Sequence, residues 1–142
     1  TPGHHPEHLC LFSNSGLIAG DMVAGIGTIL IPPGQGDMMT YIDQLERLLD
    51  LDPHLIFPSH GPVIPLPSRT LEHYIRHRSI RHDRVLAAVE NGNSKLEIIA
   101  KIAYEDTPDA HPGLAVDQTL SHLLSHEKDG NVMRVDGDWV RA

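Results

Sequence analysis

Leu55-Ile56-Phe57-Pro58-Ser59-His60-Gly61-Pro62 reads as a three-residue buried strand that opens directly into a loop carrying a histidine. Just before it, Tyr41, Ile42, Leu45, Leu48 and Leu49 recur at helical spacing between Asp37 and Leu51. Asp43, Gln44, Glu46 and Arg47 point the other way. Asp52-Pro53 stops that helix. Helix, short strand, then a polar side chain at the strand's C-terminal end is the order of an α/β layer, in which functional groups collect beyond the strand ends.

Toward the N-terminus, residues 9–12 and 17–20 are short apolar runs around Ser13-Asn14-Ser15-Gly16, which predicts a hairpin ending at Asp21. Residues 23–31 are apolar but broken by Gly25 and Gly27, and Pro32-Pro33-Gly34-Gln35-Gly36 follows; a loop lining a site is expected. Toward the C-terminus, Pro62, Pro65 and Pro67 make a stiff connection. Ser68 is then expected to cap a helix reaching about Glu90, with Leu71, Tyr74, Ile75, Val85, Leu86 and Val89 apolar. Ser94-Lys95-Leu96-Glu97 has a capping-box pattern before a short helix. His111-Pro112 opens another, with Leu114, Val116, Leu120, Leu123 and Leu124 apolar, and the tail alternates around Asp136-Gly137 as a hairpin. Three helices and a closing hairpin predict a winged-helix module, so the chain divides into residues 1–67 and 68–142.

The 142 residues carry 19 acidic and 11 basic side chains, a net charge of −8, which argues against a broad nucleic-acid-coating surface. No apolar run approaches the ~20 residues of a membrane-spanning helix. Cys10 is the single cysteine, which excludes an intramolecular disulfide and fits a reducing, cytoplasmic compartment. The chain starts at Thr1, inside what reads as a functional loop, and is expected to be a fragment of a longer protein.

Three positions carry candidate chemistry: His4 after Thr1-Pro2-Gly3, Asp21 after Gly20, and His60 before Gly61-Pro62. Imidazole and carboxylate are first-choice ligands for zinc, and a carboxylate between two histidines can bridge a metal pair. Singly, each has a plain structural explanation as a turn or loop residue. In this order, with His8 four residues after His4, they resemble the metallo-β-lactamase superfamily over residues 1–67. With a C-terminal winged helix, the likeness is to the β-lactamase-like branch that includes the mitochondrial endoribonuclease of animals; Tyr74-Ile75-Arg76-His77-Arg78 with Arg81 also resembles that branch's connecting helix.

The resemblance implies an α+β fold: the C-terminal half of an αββα sandwich followed by a winged-helix domain. It makes His4 a ligand of one zinc, His60 a ligand of the other, and Asp21 the bridging carboxylate that carries the catalytic role. His8 becomes a supporting residue. His5 and Glu7 depart from the Thr and Gly usual there. The implied reaction is attack by metal-bound hydroxide on an ester, thioester, lactam or phosphodiester. The family's His-x-His-x-Asp-His loop is not among these residues, so the chain is expected to hold half of the metal site and to be inactive alone. Its expected partner is the missing N-terminal half or a second copy, binding across the apolar strand faces at Leu9, Leu11, Leu17 and Ile18.

The helix from Ser68 holds five of the eleven basic residues, and Arg78 and Arg81 are candidates to clamp an anionic substrate; a solvated helix face is the alternative. The rival functional class is a non-catalytic winged-helix module binding nucleic acid or protein. Residues 94–142 hold five Lys/Arg against nine Asp/Glu, a local balance of −4, which disfavours specific DNA binding. The remaining histidines, His122 and His126 among them, read as ordinary polar positions.

Overall fold

The structure, a computed structural model, describes residues 1–142. Strands β1 (Leu11–Ser13) and β2 (Gly16–Gly20) form the expected antiparallel hairpin, and β2 pairs in parallel with β3 (Ile56–Pro58). The crossover between the parallel strands carries α1 (Met38–Asp50). Asp37 caps α1 by accepting the Thr40 N–H at 2.8 Å. Tyr41, Ile42, Leu45 and Leu48 are buried against the sheet's inner residues Leu17, Ala19 and Ile56 in one hydrophobic core. That core also holds Met22, Val23, Ile29 and Ile31, so the loop after β2 is packed rather than loose.

Helix α2 (Pro67–Glu90) serves two cores. Leu71 and Tyr74 belong to the first; Val85, Ala88 and Val89 belong to a second with Ile99, Ala103, Leu123, Val132 and Trp139. The boundary drawn at residue 67 therefore falls at the start of a helix that both cores share. Helices α3 (Leu96–Ala103) and α4 (Pro112–Lys128) and the hairpin β4 (Val132–Val135) and β5 (Asp138–Arg141) complete the second core. Asp136 and Gly137 both have positive φ, 50° and 86°, as the tight Asp-Gly turn requires.

Several local expectations are corrected. Ser68 is not the α2 cap: Pro67 starts the helix, where its missing N–H is harmless. Ser94 makes no capping box, because its hydroxyl bonds to Asp138 of the hairpin at 3.0 Å. Of the predicted buried strand 55–57, only Ile56 is fully buried, and Phe57 is exposed. Leu17, expected on an exposed face, is 0% exposed; Leu11 and its partner Ile18 share the outer face, and Leu9 and Phe12 are likewise more than half exposed. The buried side of α4 is mostly polar: Gln118, Thr119, Ser121, His122, Ser125 and His126 face inward, while Leu114 is exposed. No helix is long and apolar enough to cross a membrane.

Candidate metal centre

Gly20 ends β2 in the left-handed region, at φ +53°, and hands the chain to Asp21. A Cβ at Gly20 would lie 2.5 Å from His8 Nε2. That nitrogen accepts the Asp21 backbone N–H at 3.0 Å, so it carries no proton of its own. The His8 proton therefore sits on Nδ1, 3.0 Å from Thr1 Oγ1, and burial pushes the ring's pKa down, which keeps it neutral. Cys10, half-buried with its thiol pKa raised by burial, accepts from Thr1 and donates to the Ala19 carbonyl. Gly20→Ala is expected to strain the backbone and displace His8. We expect a loss of about 1–2 kcal/mol from the left-handed conformation alone, read by denaturant titration.

Asp21 lies between the two candidate histidines. Its Oδ1 is 3.1 Å from His60 Nε2 and its Oδ2 is 3.8 Å from His4 Nε2. His4 donates Nδ1–H to the Leu30 carbonyl at 2.7 Å, and the neutral ring so held has its Nε2 lone pair on the side of Asp21. Asp21 Oδ1 is buried and receives no hydrogen bond, although His60 Nε2 is within contact distance. Two imidazole nitrogens on opposite oxygens of an under-satisfied carboxylate suit a cation as donor chemistry. No third His, Cys, Asp or Glu completes a set of three around one ion.

Arg78 and Arg81, expected to meet an anionic substrate, are each only 2% exposed, which corrects both the clamp and the solvated-face readings. Arg78 donates to Gln118 Oε1 (2.6 Å), Thr28 Oγ1 (2.9 Å) and the Ile29 carbonyl. Arg81 donates to the Ala103 carbonyl and to Asp106 Oδ1 (2.8 Å), and its guanidinium lies over the Tyr104 ring at 4.1 Å. Both occupy interior sites, because loops distant in sequence present carbonyls there that need donors. Gln118 and Ser121, which bond Ile31, escape the sequence reading, and His122, read as an ordinary polar position, is fully buried. Their one signal was the polar residues placed at helical spacing among the leucines of α4.

The sequence profile of the metallo-beta-lactamase superfamily matches residues 1–60. The chain is 36% identical over 136 residues to the beta-lactamase-like protein 2 homolog of Drosophila melanogaster, covering 93% of this chain and 45% of that protein. It is 30% identical over 165 aligned residues to the lactamase-like protein nscB of Aspergillus fumigatus, covering 99% of this chain and 47% of that one. Among solved structures, a beta-lactamase domain protein from Burkholderia ambifaria superposes with a TM-score of 0.83 at 26% identity, over 99% of this chain and 46% of its own. The chain thus spans about half the length of the curated relatives it matches. Profile, relatives and backbone agree: the chain belongs to the metallo-β-lactamase superfamily.

Proposed function

We propose that this chain supplies half of the metal centre of a metal-dependent hydrolase. The observation that carries the reading is the Asp21 carboxylate, set between His4 and His60 with Oδ1 buried and without a hydrogen bond. His4 and His60 would each hold one zinc, and Asp21 would bridge them. Such a centre, when loaded, acidifies water and polarises the scissile group. The chain's own residues prepare for it. The Leu30 carbonyl keeps the proton of His4 on Nδ1, and His8 holds the Asp21 backbone at the end of β2.

The ligands still needed would come from the rest of the protein or from a second copy, docked on the apolar strand face at Leu9, Leu11 and Ile18. Substrates of the proposed reaction are esters, thioesters, lactams or phosphodiesters. Residues 68–142 would form a winged-helix domain acting as scaffold, given their acidic balance and inward-facing polar groups. No observation favours the non-catalytic binding module. The free, half-buried Cys10 fits a reducing compartment such as the cytoplasm.

The test is Asp21→Asn in the full-length protein, with zinc content by elemental analysis and turnover on a panel of those four substrate classes. We expect turnover to fall by about 10²–10³-fold, the scale on which one preorganised electrostatic group matters, with zinc content reduced. Unchanged turnover and zinc content would overturn the reading.

A further inference from the structure

The Leu30 carbonyl that orients His4 belongs to a loop with few backbone partners of its own, and two helices from the far end of the chain hold it. Gln118 of α4 accepts the Ile31 N–H at 3.3 Å and donates Nε2–H to the Ile31 carbonyl at 3.0 Å. Ser121 Oγ donates to the same carbonyl at 2.6 Å. Arg78 of α2 donates to the Ile29 carbonyl and to Gln118 Oε1, which ties the two helices together. The peptide groups on both sides of Leu30 are therefore fixed by side chains that are 2–5% exposed. Arg78 has no carboxylate within ion-pair distance; it is a buried cation held by neutral oxygens and by the Tyr41 ring, whose centroid is 5.7 Å from its guanidinium carbon. Burying a charge without a counter-charge is expensive, and an apolar side chain would serve packing alone more cheaply.

We infer that Arg78, Gln118 and Ser121 are positioning residues for His4: they set the Leu30 carbonyl, which fixes the proton on His4 Nδ1 and leaves Nε2 free to bind. The C-terminal helices would then be part of the metal centre's scaffold rather than an appended module. The consequence for zinc rests on the metal reading of His4; the orientation does not.

The experiment uses the full 142-residue chain. Long-range ¹H–¹⁵N spectra at neutral pH report which nitrogen of His4 carries the proton, in wild type, Gln118→Leu, Ser121→Ala and Ser121→Thr. We expect wild type and Ser121→Thr, which keeps the hydroxyl, to show the Nδ1–H form. Gln118→Leu and Ser121→Ala should lose it in favour of a mixture with Nε2–H. Ser121→Ala deletes one oxygen and decides the matter if Gln118→Leu does not fold. Retention of the pure Nδ1–H form in folded Ser121→Ala overturns the inference. A zinc titration is run separately on the same substitutions, and on His4→Ala, in the full-length protein, and outer-partner losses of this kind lower metal affinity by about 10–100-fold. Equal zinc binding by wild type and His4→Ala would refute the metal reading, while the orientation stands or falls on the imidazole spectrum.

Discussion

Acidification is expected to destabilise the chain beginning just below pH 6.5, well before its carboxylates titrate. Three histidines meet at the seam between α2 and α4. His82 stacks on His126 with ring centroids 3.6 Å apart, and His82 Nδ1 is 3.2 Å from His122 Nδ1. His126 donates Nε2–H to the His82 carbonyl at 3.0 Å, while Asn131 Nδ2 lies 3.3 Å from His126 Nδ1, so its neutral form is satisfied at both nitrogens.

Burial is the largest influence on all three and pushes each pKa down, to about 4 for His82 and well below the usual value for His122. Neighbouring imidazoles, with Arg78 and Arg81, add to the effect at His122; the bond to the His82 carbonyl, then Asp129, Asp83 and Glu90, oppose it at His126. The unfolded chain takes up these protons near pH 6.5 and the folded chain does not. Stability should therefore be fully present above that pH and fall as pH drops toward 4, by up to about 1.4 kcal/mol per pH unit for each histidine kept neutral. Asp37, Asp106, Glu127 and Asp138, held below the usual carboxylate range by their cationic partners, contribute losses only at lower pH. Urea titrations across this range test the claim. His122→Leu should reduce the slope between pH 6.5 and 4, and an unchanged slope would refute it.

Arg81→Met is expected to cost about 3 kcal/mol, against well under 1 kcal/mol for Arg84→Ala. Arg81 is the largest fully buried side chain, and its removal strands the Ala103 carbonyl at the end of α3 without a donor. An orphaned buried acceptor costs about 1–3 kcal/mol, and the bond to Asp106 and the packing on Tyr104 are lost as well. Arg84 shares Asp106 at 2.8 Å but is 36% exposed, where ion pairs contribute little. For a chain of this size the Arg81 change should lower Tm by about 10 °C. A fall of less than about 2 °C, on the same relation, would show that Arg81 is not the tie between α2 and α3.

Much of the backbone was legible without coordinates, because its signals are local. The periodic leucines of α1 and the Asp136-Gly137 turn depend on residues within a few positions of each other. So do the Gly20-Asp21 and His60-Gly61 loop signals that nominated the candidate ligands. Cap assignments at Ser68 and Ser94 failed where a proline or a distant aspartate offered a better arrangement.

What only the tertiary structure decided is which polar groups lie inside. The leucines of α4 suggested an apolar face, yet the helix turns Gln118, Ser121 and His122 inward. It does so because the loop at Ile29–Ile31 and the imidazole of His82, distant in sequence, present unpaired polar groups on that side. Arg78 and Arg81 are buried for the same reason. Amphipathic periodicity records where a chain avoids water. It does not record where carbonyls from another part of the chain will need donors, and here that need, set by long-range packing, places the side chains that hold the loop to which His4 bonds.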